Sequence, residues 1–113
     1  MKHQQFAASI KACNDCATAC EMCATACLNE AKVEKMRECI LLDRDCAIIC
    51  RLAAQLMASD SRFALNVCAL CAAVCDRCAA ECERHEMAHC RDCARACRDC
   101  AEECRRMSAS RAA

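Results

Sequence analysis

Three stretches of this chain repeat one spacing of thiols: CNDCATACEMCATAC, CALCAAVCDRCAAEC and CRDCARACRDCAEEC. Each reads C-x2-C-x3-C-x2-C-x3-C. Cys13, Cys16, Cys20, Cys23 and Cys27 of the first are thus matched by Cys68, Cys71, Cys75, Cys78 and Cys82, and by Cys90, Cys93, Cys97, Cys100 and Cys104. Cys39, Cys46 and Cys50 bring the total to 18 in 113 residues. Thiols can pair as disulfides, cycle as redox groups or bind soft metals. They can also pack as small hydrophobes, which accounts for one or two such positions but not for all of them. Ala, Val or Leu would fill the same places without the oxidation hazard, and Leu would bury more apolar area.

Among metals, structural zinc uses paired C-x2-C knuckles that close a tetrahedron from two chain segments. Here the cysteines run in continuous ladders, and each zinc tetrathiolate would leave a charge of −2 in the core. The C-x3-C-x2-C spacing at Cys16, Cys20 and Cys23 imitates an iron–sulfur motif but follows from the repeat itself. Copper(I) suits both the geometry and the charge. It is soft, prefers thiolates and accepts two or three of them. Positions i and i+3 or i+4 on a helix hold their Cβ atoms ~5–6 Å apart, which lets two sulfurs flank one ion. One Cu(I) per thiolate is neutral, so the expected load is roughly one copper per cysteine, about 18. Loading would release a proton per thiol and weaken as pH falls.

HEMAH, from His85 to His89, matches the H-E-x-x-H zinc-protease signature. That motif needs one continuous helix above a cleft, whereas here it straddles an expected turn between two ladders. His85 and His89 are read either as solvated residues at a helix start or, with Met36 and Met87, as weaker ligands that receive metal beside Cys39, Cys82 and Cys90. Asp43 stands in phase with the cysteines of its helix. Two readings are open for it: a salt bridge to an arginine at the bundle surface, or a copper ligand or acceptor for nearby thiols. Ser9, four residues before Cys13, is read as a small residue closing the ladder.

These side chains must be positioned by helices. Gaps of three and four alternate with a mean period of 3.5, the seam of a helix packed on other helices. Each ladder spans about 21 Å at ~1.5 Å per residue. Gly and Pro are absent, which removes the usual turn-formers of β folds. The sequence predicts an all-α, antiparallel up-down-up-down four-helix bundle with a cysteine-lined core, one domain over 1–113. The helices are expected over 4–28, 32–57, from a Ser59 or Asp60 cap to 84, and 86–107, with the tail SASRAA frayed. Phe6, Ile10, Met57, Phe63 and Met107 should plug the end opposite His85. Helix two also carries Leu42, Ile49 and Leu56 in one row and Leu41, Ile48 and Leu52 in another. With Phe63, Val67, Leu70 and Val74 they predict an oligomer interface.

Acidic and basic residues number 16 each, and two Phe are the only aromatics. Neither nucleic acid nor a membrane is an expected partner. With no signal-like N-terminus, a reducing cytoplasm is expected, where thiols stay available for metal.

Taken together, the three ladders, CILLDRDCAIIC in helix two and ECERHEMAHC before the last helix resemble the bacterial copper storage proteins of the cytosolic branch. The resemblance covers nearly the whole chain. It implies a four-helix bundle holding many Cu(I) ions, a homotetramer, and copper admitted at the histidine-bearing end. It implies all eighteen cysteines as ligands, with His85, His89 and Asp43 as accessories. Some relatives carry a further cysteine where Ser9 stands. The reading is Cu(I) storage or sequestration and no enzyme. The rivals are a copper chaperone or detoxification protein and a thiol redox buffer.

Overall fold

Alternating gaps of three and four place one side of each helix inside, and Ala at the flanking positions lets the backbones approach. The computed structural model describes residues 2–110 and contains four helices: α1 (Lys2–Leu28), α2 (Arg37–Ala58), α3 (Ala64–Cys82) and α4 (Ala88–Ser110). Their packing partners run α1–α2, α2–α3, α3–α4 and α4–α1. This is the expected antiparallel four-helix bundle, with extents of 48 × 20 × 18 Å. No helix among the described residues is long and apolar enough to cross a membrane.

All eighteen cysteines are buried, and the remainder of the core is mostly Ala and Met. The α2 seam is Cys39, Asp43, Cys46, Cys50, Ala53 and Met57, every member buried. Outside, Arg98 reaches from α4 to Glu83 at 2.9 Å and to Asp76 on α3 at 3.3 Å, an exposed stitch of small energetic weight.

The connections depart from the sequence reading in three places. Helix α2 starts at Arg37 rather than Lys32. A 3-10 turn over Val33–Met36 precedes it and tucks Met36 into the core, so burial of that side chain overrides the helical propensity of 32–36. Ser59 and Asp60 do not cap α3; they end α2. Ser61 N–H donates to Leu56 O at 2.9 Å and Asp60 N–H to Met57 O at 3.1 Å, the bond pair of a Schellman ending. Asp60 takes the left-handed conformation, φ 52°, which Asp tolerates better than most residues in a chain with no Gly. Helix α3 then begins at Ala64 without a side-chain cap. It ends at Cys82, so His85 lies in the connection to α4.

The plug forms as expected from Phe6, Met57 and Met107, with Ile10 packed against it. Phe63 is not part of it: it is 60 % exposed, because it precedes the first turn of α3 and points away from the seam. The helix of α4 runs on to Ser110, so the expected fraying does not begin at Ser108. Residues 111–113 lie outside the described residues.

Candidate metal centre

The heptad spacing of the ladders does more than bury thiols; it stacks them against one another along the bundle axis. Neighbouring helices meet through Cys13–Cys104 at 3.5 Å, Cys16–Cys97 at 3.6 Å, Cys46–Cys75 at 3.6 Å, Cys50–Cys71 at 3.6 Å and Cys39–Cys82 at 3.7 Å. Contacts also cross the axis diagonally, as Cys50–Cys100 at 3.8 Å and Cys16–Cys75 at 4.0 Å. None of the eighteen is in a disulfide.

Sets of four sulfurs lie within 4.8 Å of one another. They include Cys13/Cys71/Cys100/Cys104, Cys16/Cys46/Cys50/Cys75, Cys16/Cys20/Cys46/Cys97, Cys20/Cys78/Cys93/Cys97 and Cys23/Cys27/Cys39/Cys90. A d10 ion sits roughly 2.3 Å from a thiolate sulfur, the value for zinc. Two sulfurs on one ion are then ~4.0 Å apart in a trigonal site and ~4.6 Å apart in a linear one. The observed separations fall at or just inside these limits, so small movements would admit metal. Cys68, the first rung of α3, is buried near the plug.

Distances alone suit zinc as well as copper. Charge separates them. Apart from the thiols, the only buried charged or polar side chains among the described residues are Asp43 and Ser9. Among the described residues, no lysine or arginine enters the core to balance thiolates. Burial works against thiolate formation, and where it is the leading influence it raises Cys27 and pushes Cys90 up to about 11. A core without basic groups therefore favours a monovalent cation that replaces one proton at each sulfur. Sharing of sulfurs between sets allows each thiolate to bridge two such ions.

Asp43 has no surface arginine as partner. It is wholly buried and accepts hydrogen bonds from four thiols. Cys78 and Cys93 donate to Oδ1 at 3.2 and 3.3 Å, Cys82 donates to Oδ1 at 3.7 Å, and Cys39 donates to Oδ2 at 3.8 Å. Burial, then repulsion from the neighbouring Cys93 and Cys39, pushes its carboxyl up to about 9. Of the two readings left open by the sequence, the salt bridge is overturned. The reason is register: an in-phase residue faces the axis, where the neighbouring seams supply thiols. Ser9 is fully buried at the far end, its hydroxyl 3.5 Å from Glu103 Oε1.

At the opposite end stand the histidines. His89, in the first turn of α4, presents Nδ1 at 3.5 Å to the sulfurs of both Cys23 and Cys90. Its Nε2 meets Glu30 Oε2 at 2.9 Å. His85 Nε2 meets Glu81 Oε2 at 2.9 Å. His85 also lines a cleft of about 330 Å³ with Met36, Met87, Glu30 and the lysines at 32 and 35. His85 and His89 do not share one helix, so HEMAH lacks the frame of a zinc protease. His89 is the one brought to the thiols.

The sequence profile described as "Csp: Copper storage protein" matches residues 2–109. The chain belongs to the copper storage protein family. Its structural relatives in that family include Cu(I)-bound copper storage protein BsCsp3, 48 % identical with a TM-score of 0.89, covering 92 % of this chain and 98 % of that one. The apo form of copper storage protein 3 from Bacillus subtilis is likewise 48 % identical, with a TM-score of 0.84 over 91 % of this chain and 98 % of that one. A cytosolic copper storage protein from Streptomyces lividans is 38 % identical, with a TM-score of 0.91, covering 96 % of this chain and 95 % of that one. The cysteine-rich protein YhjQ of Bacillus subtilis is 49 % identical over 69 residues, 61 % of this chain; the match spans 64 % of YhjQ, less than two thirds of its length.

In this member of the family the sequence reading misses Glu30 and Glu81. Glu81 lies four residues before His85 in what proves to be the last turn of α3, a spacing that was visible. Glu30 lies 59 residues from His89, and no motif links them.

Proposed function

We propose that this chain takes up and stores Cu(I) through its thiols, roughly one ion per cysteine and about 18 in all. The eighteen cysteines are the ligands. His85, His89, Asp43, Met36 and Met87 are accessory groups, and copper is admitted at the histidine-bearing end. The chain acts as a single bundle domain, within a homotetramer in the cytoplasm, and has no catalytic role. The observation that carries this reading is a stack of buried thiols in a core that, among the described residues, holds no basic side chain. The Cu(I)-bound relative and the cytosolic Streptomyces protein support the metal and the compartment.

Anaerobic titration of the reduced protein with Cu(I) against a competing chelator is the test. Saturation between about 15 and 20 equivalents is expected, falling as pH is lowered because each ion displaces a proton. Saturation at one or two equivalents would point to a chaperone. Rapid formation of many disulfides under mild oxidant, without copper uptake, would point to a redox buffer.

A further inference from the structure

His89 is held at both ring nitrogens. On one side are the sulfurs of Cys23 from α1 and Cys90 from its own helix; on the other is the carboxylate of Glu30. Glu30 stands in the connection after α1, where its N–H donates to Cys27 O at 3.1 Å. That bond ties the turn to the last rung of the α1 ladder. The side chains of Glu30 and His89 are 31 % and 22 % exposed, so the pair sits where the thiol stack meets solvent.

A neutral imidazole carries one proton, on Nδ1 or on Nε2, and the partner of one nitrogen decides the other. An ionised carboxylate can only accept, so the Nε2 that faces Glu30 carries the proton. Nδ1 then keeps its lone pair and aims it at Cys23 and Cys90. With the opposite tautomer, Nδ1–H would face the sulfurs and no nitrogen donor would be available there. Imidazoles that bind metal commonly lean on a carboxylate in this way.

We propose that Glu30 is a positioning residue for copper intake. It fixes the ring orientation and the Nε2–H tautomer of His89, so that Nδ1, Cys23 Sγ and Cys90 Sγ form a three-donor landing site at the mouth. This deepens the reading above and rests on copper being admitted at the histidine end. Glu30 acts through His89 and donates nothing to copper itself. The Glu81–His85 pair, 2.9 Å apart, brings no thiol to hydrogen-bonding distance of His85 among the described residues, so it does not build a second such site.

Two measurements on the full, reduced protein under anaerobic conditions test this. The first is proton–nitrogen correlation NMR of the histidine side chains before metal is added. His89 is expected as the single Nε2–H tautomer in the parent and in Glu30→Gln, whose amide oxygen still accepts. Glu30→Ala is expected to give a mixture. The second is the stopped-flow rate of uptake of the first Cu(I) equivalent from its bicinchoninate complex. Glu30→Ala should slow it roughly tenfold, and His89→Ala at least as much. The double variant should be no slower than His89→Ala alone. Glu30→Gln should stay within about threefold of the parent, and final capacity should not change.

An unchanged single tautomer in Glu30→Ala would overturn the proposal. So would additive slowing in the double variant, or a parent-like rate in Glu30→Ala when His89→Ala is slow. If His89→Ala itself loads at the parent rate, the intake reading falls, and this inference with it.

Discussion

Asp43 takes a cysteine's place in the α2 seam and accepts from four thiols. In the unfolded chain its carboxyl ionises near the ordinary value, ~3.9. In the fold, burial pushes it up to about 9. The folded protein therefore binds more protons than the unfolded chain between those values, and stability falls as pH rises through that window. Asp43→Asn should remove this slope. In reductant and without metal, the variant should gain on the order of a few kcal/mol over the parent near pH 7 and almost nothing near pH 4. Urea unfolding at both pH values measures it; an equal effect at the two would show that the carboxyl's proton is not responsible. The residue was legible in the sequence because it broke a regular ladder while staying in phase. Its partners were not, since spacing along one helix says which side faces the axis but not what meets it there. Glu30 was less legible still: it belongs to a turn with no periodicity.

At the scale of the helix, each ladder was readable because a mean gap of 3.5 leaves little freedom about which side is buried. Helix ends carried weaker signals. Asp60 reads as an N-cap by residue type, yet with no Gly in the chain it had to supply the left-handed residue that closes α2. Residues 32–36 read as helix by composition, but Met36 reaches the core only by way of a 3-10 turn. Of the two surplus rows of α2, Leu42, Ile49 and Leu56 pack partly buried against the core, whereas Leu41, Ile48 and Leu52 remain outside. Ile48 is 66 % exposed, with Leu41 and Leu52 beside it on the same face. Such a stripe, seven and four residues apart, suits another helix. Ile48→Glu combined with Leu52→Glu should convert the proposed homotetramer to a smaller species without reducing copper capacity. Sedimentation equilibrium of parent and variant reads the mass; a tetramer in both would place the interface on another face, and a monomeric parent would overturn the proposed assembly.

For the whole molecule, the important feature is that the thiol sets overlap. Cys16, Cys20, Cys46 and Cys97 each belong to two of them, and together the sets run through a bundle 48 Å long. Where sets share a sulfur, as the three that contain these residues do, an ion can pass from one to the next while still held by a common thiolate. One end of this run is sealed by Phe6, Met57 and Met107; the other opens beside His89. On the proposed reading, a run closed at one end loads and empties through the other, so the sites nearest His89 should be the first to give up copper. Protein filled first with copper-63 and topped up with copper-65 should surrender copper-65 first to a limiting chelator, read by isotope-ratio mass spectrometry. Equal ratios in every fraction would mean that the ions mix inside. By closing the far end, the plug residues Phe6, Met57 and Met107 leave the His89 end as the way in and out of the thiol stack.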